Sequence, residues 1–417
     1  MPPLYDHQDN TDMYILYILE EFNIELNEKD RDGRTAFHLA CINGMHRIVK
    51  ILIENSVNFN IDLNAKDNLG RTAFHLACKN GKGEILQILM EKSANFNIDL
   101  NAKDSQGQTG FILACSDNMG RLRIVQMLIE KSHEYNIELN VKDNQGQTGF
   151  IAACSGSLLS WRIVKILIEK SIDFNIDLNA KDDEGSTGFI LACSGKNNNQ
   201  SMLEILLEKS HEFNIDLNAK DNQGRTVFIL ACLQNLFFIV RGLFDHMKKK
   251  SLQNNIDLNL RDGQGRTAFH LACINGHTSI VETIMQYSKE LKIDVNAIDV
   301  YGKTAFHFAS MNGNTVEAKM IIQKSEEFEI QLNAKDANGR TAFHSACLHN
   351  KTNMIELIIE NATPFKIEIS AKDNNGKTGY QIANTDSKQL IKRKLSSLGM
   401  KKENAFKRVV KVFKNSD

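Results

Sequence analysis

The chain has 417 residues, is 42% hydrophobic and 24% charged, and carries a net charge of −1 at pH 7. There is no apolar run of about 18 residues, so no membrane span is expected. The near-neutral charge argues against direct nucleic-acid binding by bulk attraction. The opening MPPLYDHQDNTDMY lacks a basic stretch followed by an apolar one, so no signal peptide is expected.

In chain order, residues 1–29 come first, and within them TDMYILYILEEFNIELN (11–27) reads as a helix and an extended return. It has the second half of the unit that follows without the first half, which suits an N-terminal cap. From residue 30 to 385 one block repeats, typified by DNLGRTAFHLAC at 67–78. Its glycine falls at Gly33, Gly70, Gly107, Gly146, Gly185, Gly224, Gly265, Gly302, Gly339 and Gly376, at spacings of 37 to 41 residues. Such regularity predicts a repeat architecture rather than two or three globular domains.

Each repeat reads as turn, helix, short loop, helix and extended return. Asp stands three residues before every glycine, and Asp-x-x-Gly suits a tight turn in which glycine takes positive φ. Thr two residues after the glycine is placed to cap a helix. An aromatic at the fourth position after glycine and Ala at the seventh share one face of that helix, from Phe37 and Ala40 to Tyr380 and Ala383. A second helical segment, such as IVKILIEN at 48–55, is apolar almost all round and should lie sandwiched between layers. One unit cannot bury its own apolar face, so stability must come from its neighbours.

Asp-x-x-Gly-Arg-Thr-Ala-Phe-His-Leu-Ala-Cys, then Asn-Gly and Ile-Val-x-Ile-Leu-Ile, resembles the ankyrin repeat over roughly residues 11–385. The resemblance implies an all-α solenoid of helix-turn-helix units joined by β-turn or hairpin-like fingers, with about nine full repeats plus capping half-repeats. It also implies binding to a protein partner through turn tips and first helices, with no cofactor, no metal and no enzymatic activity. The family's Pro after Thr is mostly Ala or Gly here, and the unit exceeds the usual 33 residues. The excess, near SANFNIDLN, predicts a longer second helix or a longer return.

All eight cysteines stand eight residues after a turn glycine, on the predicted buried face. Packed helices lie about 8–10 Å apart, beyond the roughly 7 Å that a disulfide tolerates between Cα atoms. They read as reduced core residues of an intracellular protein. His38, His75, His270 and His344 each precede a Cys by three residues. No third ligand recurs beside them, and zinc needs three or four. The resemblance implies instead that these histidines bond Thr and the backbone, stitching repeats together. The asparagine of LNAKD (Asn64, Asn101, Asn179, Asn218 and Asn333) resembles a position modified in ankyrin repeats by an asparaginyl hydroxylase.

Repeats three to six depart from the rule, reading Thr-Gly-Phe-Ile or Thr-Val-Phe-Ile, and three to five carry two extra residues between the helices. Duplication and a specialised surface both account for this. Leu158, Leu159 and Trp161 in repeat four, and Leu236, Phe237 and Phe238 in repeat six, fall where other repeats place polar residues. They read either as local packing or as an exposed partner patch, since aromatics are enriched in binding hot spots. The turn tips offer a second candidate surface: Arg34, Arg71, Arg225, Arg266, Lys303, Arg340 and Lys377 follow the glycine, with neutral Gln108, Gln147 and Ser186 between them, and Leu69 and Tyr301 add apolar tips. Simple solvation is the alternative there.

Residues 386–417 hold ten Lys/Arg and three Asp/Glu, net +7, against net −8 for the remainder. ENAFKRVVKVFK (403–414) places Phe406, Val409, Val410 and Phe413 on one helix face. A capping helix, a membrane-surface or calmodulin-type helix, and a nuclear import signal around Lys392–Lys394 and Lys401–Lys402 are all compatible readings. The expected function is a monomeric, cytoplasmic scaffold or adaptor. The alternatives are a nuclear regulator of transcription of the inhibitor-type ankyrin class, and a regulatory subunit of a phosphatase or kinase complex.

Overall fold

The computed structural model describes residues 17, 21, 25–116, 121–156, 159–194, 200–248 and 256–397. The chain forms two compact units, Met1–Ile215 and Asp216–Asp417. The first holds helices α1 (Ala36–Asn43), α2 (His46–Glu54), α3 (Ala73–Lys79), α4 (Gly83–Phe96), α5 (Gly110–Ser116), α6 (Leu122–Glu130), α7 (Ser132–Tyr135), α8 (Gly149–Ser155), α9 (Trp161–Glu169), α10 (Gly188–Ser194) and α11 (Gln200–Lys209). The second holds α12 (Val227–Leu233), α13 (Phe237–Lys248), α14 (Ala268–Asn275), α15 (Thr278–Tyr287), α16 (Ala305–Asn312), α17 (Thr315–Gln323), α18 (Ala342–Leu348), α19 (Thr352–Asn361), α20 (Gly379–Ile382) and α21 (Thr385–Ser397).

Within each unit the first helices of successive repeats pack on one another and so do the second helices, giving two layers. In the first unit α1, α3, α5, α8 and α10 form one layer; in the second, α12, α14, α16, α18 and α20 do. Among the described residues the only strand-like features are two isolated bridges, Lys181 with Thr187 and Lys372 with Thr378, at turn fingers.

The turn closes as its sequence demands. In repeat two, Asp67 N–H donates to the Arg71 carbonyl at 3.0 Å and Gly70 N–H to the Asp67 carbonyl at 2.9 Å. Asp67 Oδ1 accepts from the N–H groups of Leu69 and Arg71. Gly70 has φ +75°, and a Cβ there would lie 2.6 Å from the Ser105 nitrogen of the next turn. That nitrogen donates to the Leu69 carbonyl at 3.0 Å, so successive turns are joined backbone to backbone. Glycine is required twice over, by conformation and by close approach.

Each first helix then starts from its Thr and runs for about two turns, except the four-residue α20. Such short helices are not stable alone. The buried rings of Phe37, Phe74, Phe111, Phe150 and Phe189 in the first unit supply much of the compensation, at roughly 1.5–3 kcal/mol per fully buried ring. The residue after Thr sits against the preceding repeat's ring. At Gly149 a Cβ would fall 2.6 Å from Phe111 Cε1. The Thr-Gly-Phe-Ile variant therefore marks a tighter approach of first helices than Ala allows.

The extra length of the unit is used in both ways that were expected. In repeat two the second helix α4 is extended to Phe96, and in repeat three a short α7 follows α6. Both segments stop at an asparagine in the left-handed region, Asn97 (φ 52°) and Asn136 (φ 56°). Asn tolerates this conformation better than most residues.

Candidate functional site

The recurrent polar residues prove to be the connections between repeats. Thr72 N–H donates to His75 Nδ1 at 3.1 Å, which leaves the ring proton on Nε2 to be donated to the Gln108 carbonyl of the next repeat at 3.0 Å. His38 reaches Arg71 in the same way, and in the second unit His270, His307 and His344 reach the carbonyls of Lys303, Arg340 and Lys377. Burial, opposed by these hydrogen bonds, lowers the pKa of all five, in His270 to about 4. They are neutral structural groups. In repeats three to six Ile stands in their place and only the Thr cap remains, as with Thr148 Oγ1 accepting from Ile151 N–H.

The LNAKD motif builds two more ladders. Asn64 Nδ2 donates to the Asn97 carbonyl at 2.7 Å while its Oδ1 accepts from Asp99 N–H at 2.8 Å. Asn101 and Asn140 repeat the pattern in the first unit, and Asn259, Asn296 and Asn333 in the second. The lysine two residues on does likewise: Lys66 Nζ donates to the Lys103 carbonyl, and Lys103 Nζ to that of Lys142. The partners of these side chains lie one repeat away.

The eight cysteines are free and buried, and burial raises their thiol pKa. A buried thiol of that kind is a poor nucleophile. Among the described residues no three His, Cys, Asp or Glu side chains converge to hold a metal ion.

The two expected apolar clusters fare differently. Leu158 lies outside the described residues; Leu159 is 55% exposed, and Trp161 is half-buried with the Arg162 guanidinium 5.4 Å from its ring. Leu236 is a correction: it is 3% exposed, and Phe237 and Phe238 are half-buried at the start of α13. The loop turns Leu236 inward, with its N–H on the Ala231 carbonyl, so repeat six offers no exposed three-residue patch.

The basic tips are also corrected. Arg71 is only 9% exposed, and its guanidinium is clamped on Asp67 Oδ2 at 2.7 Å. Burial raises the Asp67 pKa, but Arg71 and the backbone donors outweigh it and hold the carboxylate below its ordinary value. Arg225 and Arg266 close on Asp221 and Asp262 in the same way, and Arg34 pairs with Asp32. Their charge is spent within the turn. Arg340 is the exception, making only a long ion pair, 3.9 Å to Asp373. The apolar tips are as expected, Leu69 and Tyr301 being well exposed.

The best-defined exposed cluster lies in the second unit around Tyr301. Val300 and Tyr301 are 63% and 60% exposed. Lys303 Nζ sits 5.9 Å from the Tyr301 ring and 5.7 Å from that of Phe308. Val300 and Phe308 were missed because nothing in the spacing joins them to the tip residues Tyr301 and Lys303. The available signal was Phe308 at a position where most repeats carry a smaller apolar residue. In the first unit, an open groove of about 480 Å³ is lined by residues at and beside helix ends, polar Asn43, Lys82, Glu84 and Arg123 together with Ile85, Ile124 and Met127.

Of the basic tail, residues 403–414 and Lys401–Lys402 lie outside the described residues. Residues 385–397 form α21, which packs on α19 with Ile391 and Leu395 buried. Lys394 is held by Glu360 at 2.7 Å.

A family profile of ankyrin repeats in three copies matches residues 7–104, 162–254 and 249–336, and that of the single ankyrin repeat matches 338–367. The stretch between the first two matches holds deviant repeat three and the start of repeat four. No curated protein matches the sequence. Among solved structures, the crystal structure of the ankyrin repeat domain of Bcl-3, titled a unique member of the IkappaB protein family, is 20% identical. It covers 60% of this chain and 98% of that chain, with a TM-score of 0.48.

Proposed function

The chain belongs to the ankyrin repeat family, and we propose that it is a scaffold or adaptor that holds protein partners on its turn tips and first helices. The observation that carries this reading is the division of labour among its side chains. The recurrent His, Asn and Lys residues are consumed in holding repeats together, and the recurrent Asp in closing its own turn. What is left exposed and apolar, at Leu69, Leu159, Val300 and Tyr301, has no such role. Exposed aromatic and aliphatic side chains on a rigid support suit protein recognition, because little entropy is lost when they are covered. Affinity capture with the tagged full chain tests it. The reading is supported by proteins enriched in stoichiometric amounts, and it fails if nothing is enriched over a tag-only control.

A nuclear regulatory role is the second reading, favoured by the net charge of +7 in residues 386–417. Imaging the chain with and without that segment separates the two; a cytosolic signal that does not depend on the segment removes the nuclear reading. A regulatory subunit of a phosphatase or kinase complex rests on analogy of fold alone.

A further inference from the structure

Three positive charges in the second unit are not consumed by the stack. Asp299, Asp336 and Asp373 are buried under their turns, and the Oδ1 of each accepts two backbone N–H groups. In three earlier turns an Arg closes on the carboxylate through Nε, at 2.9 Å for Arg71, 2.7 Å for Arg225 and 2.8 Å for Arg266, whereas Arg34 of the first turn pairs with Asp32 instead. In these last three the equivalent residues are Lys303, Arg340 and Lys377. No ion pair to Lys303 or Lys377 forms among the described residues, and Arg340 makes only a long one.

The cations are interleaved with apolar groups. Phe308 is half-exposed, its ring edge-on to His270 at 5.6 Å, and Leu348 is exposed at the end of α18. His349 follows it, and partial burial and then the charges of Lys303, Lys351 and Arg340 lower its pKa.

The spacing sets the ligand. Successive turns are bonded to one another, Ala337 N–H to the Tyr301 carbonyl at 2.8 Å and Asn374 N–H to that of Asn338 at 3.0 Å. Packed helices repeat at about 10 Å, and a chain extended in the polyproline II conformation rises about 3.1 Å per residue and returns every third side chain to the same face, so roughly three residues span one repeat. A long polyanion is disfavoured, because residues 1–385 carry a net charge of −8 and would repel it. A short segment that meets only the local cations is not.

We propose that Val300, Tyr301, Lys303, Phe308, Arg340 and Lys377 bind an extended acidic segment of a partner protein, with carboxylates at every third position and apolar side chains between them. This rests on the protein-binding reading above and names the ligand class for one surface.

The test is fluorescence anisotropy with the full chain and a fluorescein-labelled peptide of about 12 residues, long enough to span the three turns, with Glu at every third position and Phe or Leu between. The comparison probes are a peptide of the same composition with its Glu residues in one block, and a single-stranded oligonucleotide. The spaced peptide binds most tightly. The Lys303→Ala, Lys377→Ala double variant, with an unchanged thermal melt, binds it roughly five- to tenfold more weakly, as expected for two exposed charge pairs. Equal binding of spaced and blocked peptides, undiminished binding by the variant, or tighter binding of the oligonucleotide overturns the proposal. If the variant still captures the same partners as the unsubstituted chain, the acidic-segment site falls while the scaffold reading stands. If the spaced peptide binds as described but capture finds no partner, the site stands and the scaffold reading falls.

Discussion

Acidification should loosen the second unit through His270, and the size of the effect follows from its surroundings. The ring is 1% exposed; Nδ1 accepts from Thr267 N–H at 3.0 Å and Nε2 donates to the Lys303 carbonyl at 3.1 Å. A second ring proton on Nδ1 would point at that N–H, so the folded state resists protonation. Burial chiefly, against its backbone hydrogen bonds, brings the pKa from 6.5 to about 4. The unfolded chain therefore takes up the proton first as pH falls. The stability conferred by the neutral ring is whole above 6.5 and drains away between 6.5 and about 4. Linkage puts the loss near 2 kcal/mol at pH 5 and about 3 kcal/mol when complete. His270→Ile removes it, and Ile112, Ile151, Ile190 and Ile229 show that Ile is buried well at this position. Urea unfolding followed by circular dichroism at pH 7 and pH 5 should show the unsubstituted chain losing about 2 kcal/mol more than the variant. Equal losses in the two proteins would refute the assignment.

Three further outcomes follow from the packing. Gly149→Ala should destabilise by about 1–3 kcal/mol, since the added Cβ meets Phe111 at 2.6 Å and overpacking outweighs the gain in helix propensity; a raised melting temperature would contradict the close approach. Asn296→Ala removes a donor to the Glu329 carbonyl and an acceptor for Gln331 N–H, so it should cost about 1 kcal/mol, the sites being exposed to water; chemical denaturation reads it, and no change would make the asparagine ladder decorative. The buried cysteines should resist a thiol reagent in the native chain and react fully in denaturant; fast labelling of native protein would contradict the packing around Cys78 and its equivalents.

The stack itself was legible because each of its parts is a local signal repeated. Asp and Gly three residues apart make the same turn wherever they occur, and Thr caps the same helix, so ten copies reinforce one reading. The bonds of the histidines to Thr and backbone came from the family resemblance, and the structure supplies the carbonyl each one reaches. The asparagine and lysine ladders were not legible, since Asn64 and Lys66 bond residues one repeat away, at Asn97 and Lys103. Surfaces were harder still. Leu236 and Arg71 have the composition of exposed contact residues, yet a local loop path buries the first and an ion pair ties down the second. Exposure depends on where a neighbouring repeat falls, and a single sequence carries no local mark of that. The Tyr301 cluster depends on it equally, joining residues of the turn and of α16 only once the helix is folded back on its finger.

If partners are held on turn tips and first helices, amine footprinting of the full chain with and without a captured partner will find the protection there. Lys303 and Lys377 should lose reactivity on binding, while Lys324, paired with Glu327 at the end of α17, keeps its own. Protection of Lys324 with Lys303 and Lys377 unchanged would contradict it.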